Sequence, residues 1–314
     1  IGGGRSYTEH LMAGLRTAGI TCELFRLMIR YGKKRKRAPG VIDVSDAIDL
    51  IKRIPTILVT SGWDRSEAPF IHEVYARLFA AGARLVVHDT NELRGYANIG
   101  ISLSKVSRII VIRRAMLEYL PKAAFVRHPY ERRCAEATAR SSRVERLINV
   151  STARIYFSKN VDIILEANRL LPKPEQISLH GAENRVCAFV LRKRFPELTT
   201  KKFDEANPNY AVDVNSRAKH NVDMTVFYGD GGGTQYSFME AIDAGAVVVL
   251  HRAWLRSGDE MVDGKNCLAA ASGYELADTV KLAYNPSVAS RALKLLKKHE
   301  AGVGAKEFYD AVVR

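Results

Sequence analysis

The chain has 314 residues, 47% of them apolar, and a formal net charge of +14. It is long enough to bury substantial cores, most economically as two domains. No apolar run approaches a membrane span, and the N-terminus lacks a signal-peptide pattern. Cys22, Cys134, Cys187 and Cys267 lie far apart, so they form no metal-type pair. They read as reduced, mostly buried thiols of a cytoplasmic protein. The chain begins at Ile1 rather than a methionine, which leaves room for residues ahead of it.

The charge is unevenly spread. Residues 1–145 hold 25 Lys+Arg against 14 Asp+Glu, whereas the remainder holds 23 against 20. A basic first half points to a polyanionic partner held there, and the plain alternative is a solvated basic surface.

In chain order, Gly2, Gly3 and Gly4 open into a helical pattern through Leu11, Met12 and Leu15 that stops at Gly19. A glycine loop feeding a helix is compatible with a phosphate, which makes Gly2 and Gly3 candidate contacts. Ile20–Phe25 reads as a strand. Lys33, Lys34, Arg35, Lys36 and Arg37 form a charge run beside Gly32 and Pro39. It is either a solvated tip or a set of contacts to nucleic-acid phosphates or an anionic membrane. Asp46–Ile54 predicts a helix, Thr56–Thr60 a strand and Ala68–Gly82 a helix. Arg84–Val87 is an apolar strand that gives way abruptly to His88 and Asp89. Ligands of open α/β sheets bind at the carboxyl ends of strands, which makes these two site candidates. Ser107–Ile112 and Ala124–Val126 read as further strands and Arg113–Leu120 as a helix. Residues 131–145 resemble a linker, so the expected domains are 1–140 and 141–314, both Rossmann-like.

The second half repeats the alternation. Leu147–Val150 predicts a strand, Val161–Leu171 a helix, Gln176–Leu179 a strand and Val186–Phe195 a helix. Met224–Tyr228 is an apolar run entering a glycine loop, which a helix with Phe238, Met239 and Ile242 on one side follows. Gly245 stands where a helix C-terminal cap belongs, and Val247–Val249 reads as a buried strand. This is a βαβ unit whose loop meets a helix N-terminus, where unpaired N–H groups and the helix dipole favour a phosphate. Glu240, one or two turns into the helix, could accept hydrogen bonds from a sugar hydroxyl. Tyr274–Tyr284 and Pro286–His299 predict terminal helices.

These residues resemble the retaining glycosyltransferases of the two-domain GT-B architecture. The likeness rests on Gly233, then Glu240-Ala-Ile-Asp-Ala-Gly245 and an apolar strand, and on Arg154 and Lys159 five residues apart after the first strand of the second half. More narrowly, Gln235-Tyr-Ser-Phe-Met-Glu240, His180-Gly-Ala-Glu-Asn-Arg-Val-Cys-Ala-Phe189 and Val86-Val-His-Asp89 look like segments of the α-glucosyltransferases of T-even phages, which glycosylate 5-hydroxymethylcytosine in DNA. One departure stands out: many relatives keep an acidic residue eight positions before the helix glutamate, and Gly232 occupies that place.

The resemblance implies a nucleotide-sugar donor, a UDP-sugar, met by Arg154, Lys159, Gly181, Gly232, Gly233, Thr234, Gln235, Tyr236 and Glu240. Arg154 and Lys159 would neutralise the leaving diphosphate, so no metal or other cofactor is demanded. Asp89, with His88, would accept the acceptor's proton or stabilise a cationic sugar. With a DNA acceptor, Lys33 to Arg37, Arg94, Arg113 and Arg114 would contact phosphates while the base is flipped out. Alternative readings are transfer to a lipid or polysaccharide at an anionic membrane, and a non-catalytic nucleic-acid-binding protein on a transferase scaffold. A dinucleotide oxidoreductase fits less well, because no Gly-x-Gly-x-x-Gly stands in the expected place. No obligate protein partner is implied. A phage-encoded protein would act in the host cytoplasm.

Overall fold

The computed structural model describes residues 3–28, 40–59, 68–98, 100–134, 145–204, 206–226, 231–256 and 259–313. By packing, the chain divides into Ile1–Pro129 with Ala301–Arg314, and Tyr130–Glu300.

The first unit begins with helix α1 (Gly3–Thr17), strands β1 (Arg26–Met28) and β2 (Val41–Asp43), and helix α2 (Val44–Arg53). Then come β3 (Ile57–Val59), α3 (Ala68–Ala80), β4 (Arg84–Val87), α4 (Thr90–Asn98), β5 (Ile109–Val111) and β6 (Ala124–Phe125). Strands β3, β4, β5 and β6 lie in that order in a parallel sheet, while β1 and β2 pair separately. Leu85 and Val87 share a fully buried core with Leu78 of α3, Tyr96 of α4 and Met116. Ile20–Phe25 is not a strand. Pairing starts only where a partner backbone exists, with the Arg26 N–H donating to Gly40 O at 2.8 Å. Residues 114–118 form a short 3₁₀ turn in place of the longer helix expected over Arg113–Leu120.

The second unit contains β7 (Ile148–Ser151), α5 (Val161–Leu170), β8 (Ile177–Leu179), α6 (Arg185–Arg194), α7 (Tyr210–Asn215) and β9 (Ala218–Asp223). It continues with α8 (Tyr236–Asp243), β10 (Val247–His251), β11 (Leu268–Ala270), α9 (Gly273–Lys281) and α10 (Pro286–Leu296). Its five strands are all parallel, in the order β11-β10-β9-β7-β8. A last helix, α11 (Ala301–Val313), belongs to the first unit and packs on α1. Gly14 permits that approach, because a Cβ there would stand 2.1 Å from the Ala301 carbonyl oxygen.

The strand entering the glycine loop lies earlier than its apolar signal. Met224–Val226 is outside any strand, and the central strand is the polar run Ala218–Asp223. Burying such a strand requires every polar side chain to find a partner. His220 Nδ1 lies 3.0 Å from Asn149 Oδ1, and Asn221 Nδ2 donates to Thr152 Oγ1 at 3.1 Å and Asn215 Oδ1 at 2.8 Å. Burial pushes the His220 imidazole down to about 3, so it is neutral at ordinary pH. Because the sheet is parallel, the loops after β7, β8, β9 and β10 all leave from one edge, where ligands of such sheets bind.

Candidate functional site

Three segments build the candidate site at the loop edge of the second unit's sheet. The first is the loop after β7. Arg154 is exposed, and its guanidinium has no ion-pair or hydrogen-bond partner among the described residues. The strand-like path behind it, with Ile155 N–H to Ala182 O at 3.0 Å and Asn184 N–H to Ile155 O at 3.1 Å, ties this loop to the one after β8. Gly181 makes that tie possible, since a Cβ there would lie 1.7 Å from Ala153 O. Its role here is close backbone approach.

A 3₁₀ turn (Phe157–Lys159) then brings Lys159 to the end of β9. Asn160 fixes the turn: it adopts a left-handed backbone (φ 42°) and donates from Nδ2 to Met224 O at 2.9 Å. Lys159 Nζ donates to Thr225 Oγ1 at 2.6 Å and Gln235 Oε1 at 3.3 Å, and lies 3.7 Å from Asp223 Oδ2. The Asp223 side chain is fully buried and accepts from the Thr225 N–H (3.0 Å), the Thr225 hydroxyl and Ser237 Oγ (2.7 Å). A cation is therefore held beside the N-terminus of α8, which itself favours anions.

The second segment is the glycine loop. Gly231, Gly232 and Gly233 all have positive φ (131°, 73° and 73°), a region open to glycine at little cost. The Gly232 N–H donates to Trp254 O and the Gly233 N–H to Asp259 Oδ2, each at 2.7 Å. These two amides are thus engaged by the protein, which corrects the expectation that they point at a phosphate. A Cβ on Gly232 would stand 2.1 Å from Asp259 Oδ2, so a carboxylate from the loop after β10 lies against this position. Thr234 is buried, with its hydroxyl 3.2 Å from His299 Nε2, which in turn lies 2.9 Å from Glu260 Oε2. That hydroxyl anchors the loop to the core. Gln235 is the N-cap of α8, but its side chain makes no capping bond and reaches Lys159 instead. Tyr236, half-buried, opens the helix.

The third segment is the face of α8 that carries Glu240 and Asp243. Burial pushes the Glu240 carboxyl up to about 7, against the pull of the Arg133 guanidinium, whose Nη1 lies 3.8 Å from Oε1. One turn on, Asp243 accepts from Tyr130 OH (3.3 Å), Arg132 Nε (3.0 Å) and the N–H groups of Arg133 (2.7 Å) and Cys134 (3.1 Å).

In the first unit, His88 and Asp89 are used locally. Asp89 Oδ1 caps α4 by accepting the Glu92 N–H at 2.9 Å, and Glu92 Oε2 lies 2.9 Å from His88 Nδ1. Arg94 is exposed on α4, and the exposed Arg114 places its guanidinium 4.6 Å from the Phe125 ring centre. Arg113 is only 8% exposed, which removes it from any solvent-facing phosphate surface. Gly3 starts α1. Gly2 and the run Lys33, Lys34, Arg35, Lys36 and Arg37 lie outside the described residues.

No family model and no curated protein matches the chain. Solved structures do. An alpha-glucosyltransferase in complex with UDP and a 13-mer DNA containing an HMU base superposes with a TM-score of 0.69 at 11% identity, covering 100% of this chain and 96% of that one. Anabaena HepE in complex with UDP superposes with a TM-score of 0.62 at 11% identity, over 86% and 84% of the two chains. The fold is GT-B. A GT-B chain carries a parallel α/β sheet in each unit, as expected from the alternation of strands and helices, and the segments built around Lys159 and Glu240 lie in the second. Among the described residues, no group of three His, Cys, Asp or Glu side chains could hold a metal ion. Four residues of this candidate site escaped the sequence: Asp223, Thr225, Asp259 and Arg133. Asp223 ends β9 and Thr225 lies two residues on, and the polarity of that strand hid it. Arg133 and Asp259 sit in segments without periodicity, and no local signal marks them.

Proposed function

We propose that this protein transfers a sugar, with retention, from a UDP-sugar to a hydroxyl, and that the hydroxyl belongs to a hydroxymethylated base in DNA. The observation that carries the donor half is Lys159, an ammonium fixed by Thr225 and Gln235 at the N-terminus of α8, downstream of the unpartnered Arg154. In the reaction the bond from the sugar's C1 to the diphosphate oxygen breaks, and the acceptor oxygen bonds to C1 on the same face. Negative charge grows on the departing UDP, and fixed cations aimed at that oxygen lower the barrier more than water could. Glu240 receives the ribose hydroxyls, and Asp259 stands at the glycine loop in the place of the acid that many relatives carry. His88 and Asp89 of the first unit are the groups assigned to the acceptor's proton.

The DNA half of the reading is supported by the basic excess of residues 1–145 and by the fold shared with structures solved on DNA. The test is direct. The protein is incubated with a panel of UDP-sugars and either hydroxymethylated or unmodified duplex, and the DNA is then digested to nucleosides for mass spectrometry. A sugar added only to the hydroxymethylated base is the expected result. Transfer to a lipid acceptor but not to DNA would replace the acceptor and leave the donor assignment in place.

A further inference from the structure

Residues 131–145 read as a linker, yet Tyr130–Cys134 is fastened to α8 by side-chain and backbone bonds. Asp243, whose side chain has no exposure, gathers four donors from it: Tyr130 OH, Arg132 Nε and two consecutive backbone N–H groups, those of Arg133 and Cys134. A buried carboxylate needs such a set of donors, and it fixes the backbone that supplies them. Asp243 and Glu240 are three residues apart in α8, so they share a face. Pinning the Arg133 backbone at Asp243 therefore aims its side chain back one turn, toward Glu240. A second bond, from the guanidinium to Pro208 O, steadies that direction.

The geometry points to Arg133 as a positioning residue for the donor's ribose, one whose charge faces Glu240 without taking up the lone pairs of its oxygens. The inference rests on the assignment of Glu240 to the ribose. The 3.8 Å separation of Arg133 Nη1 and Glu240 Oε1 is that of an ion pair longer than a hydrogen bond. Glu240 thus gains a stabilising charge while its acceptor sites stay open to two hydroxyls. An ionised carboxylate also makes hydrogen bonds roughly twice as strong as a neutral acid does.

The charge states around Glu240 agree with this role. Burial raises its pKa from 4.5 to about 7, and Arg133 is the group that opposes the rise. Another titratable side chain that feels Glu240 is Tyr130, whose phenol is pushed up by burial, then by Asp243 and by Glu240, and stays neutral. Without Arg133, little would hold Glu240 ionised at neutral pH. Arg133 is poised to decide whether the ribose meets a carboxylate or an acid.

The experiment is UDP-glucose binding by calorimetry across pH 5.5 to 9, a range chosen as roughly that in which a group of pKa near 7 titrates. UDP-glucose is the probe because both its phosphates are diesters and do not titrate there. Wild type is expected to bind more tightly as pH rises, levelling off above the Glu240 pKa, with proton release on binding at the lower pH values. Arg133→Gln keeps the backbone N–H that Asp243 holds. It should move the midpoint upward by about one unit, which is about fivefold weaker binding at pH 7 and approaches about tenfold at lower pH. Arg133→Lys should restore the wild-type midpoint. Glu240→Gln should abolish the pH dependence, with or without Arg133, so the pair is tested even where Arg133→Gln lowers the melting temperature. An unchanged midpoint in Arg133→Gln would overturn the inference. A wild-type protein that binds no UDP-glucose at any pH would instead overturn the donor-site assignment beneath it.

Discussion

Lys159 is held by the protein's own groups. Its ammonium is balanced by Asp223, which the Thr225 and Ser237 hydroxyls also satisfy, so under the proposed function the charge is fixed where a phosphate would meet it. Preorganised charge of this kind needs little rearrangement during reaction. Lys159→Ala is expected to lower kcat/KM for a UDP-sugar by about 10²- to 10³-fold, the range seen when one such donor is removed. DNA affinity measured by fluorescence anisotropy should be unchanged, because the sequence-independent phosphate contacts are assigned elsewhere. Equal activity of the variant would refute the donor assignment. Glu240 yields a pH prediction with a definite sign. Its folded pKa of about 7 lies above the unfolded 4.5, so the folded chain binds this proton more tightly. The stability it contributes is complete below pH 4.5 and is lost as pH rises through about 7. Glu240→Gln should therefore flatten the fall of melting temperature between those two values. A fall as steep as that of the wild type would mean the carboxyl is not raised.

The glycine loop shows what one element can and cannot disclose. Its helix and following strand were legible, since Phe238, Met239 and Ile242 are buried and Gly245 adopts φ 82° after the last turn, as a C-terminal cap does. Its preceding strand was not, because Lys219, His220, Asn221 and Asp223 look like surface, whereas the last three are buried, with His220 and Asn221 bonded to Asn149 and Thr152 far back in the chain. The helix α4 was masked for the opposite reason. Asp89 followed three residues later by Glu92 is a helix-start pattern, but the polar residues read only as the end of an apolar strand. Within the loop, two neighbouring glycines should respond differently to alanine. Both substitutions force a side chain into positive φ, at a cost of about 1–2 kcal/mol. Only at Gly232 would the new methyl meet Asp259, while at Gly233 it meets nothing within 4 Å. Gly232→Ala is thus predicted to lower the melting temperature more than Gly233→Ala, and Asp259→Gly should narrow the gap. Equal losses would show that Asp259 does not fill the space beside Gly232. Gly181→Ala should be as damaging, since it would push away the loop that carries Arg154.

At the scale of the molecule, the sequence disclosed two parallel α/β sheets and the order of most elements, because strand and helix periodicities are local. The return of α11 to the first unit left no trace, since helix–helix packing across almost the whole chain has no periodic signature. Charge did carry over: the excess of Lys and Arg in residues 1–145 includes Arg94 and Arg114, both exposed. DNA affinity should fall steeply with salt for any sequence. Neutralising Lys33 to Arg37 should make the slope of log affinity against log salt shallower by about 0.9 for each phosphate no longer neutralised. An unchanged slope would mark that run as merely solvated. Sugar transfer from a UDP-sugar to DNA is measured most directly as the mass of nucleosides recovered from hydroxymethylated duplex after incubation with UDP-glucose and the protein. The expected product is a hydroxymethylated nucleoside heavier by one hexose, formed far more slowly by Lys159→Ala and absent from unmodified duplex. Unaltered nucleosides with every UDP-sugar tried would contradict transfer to DNA.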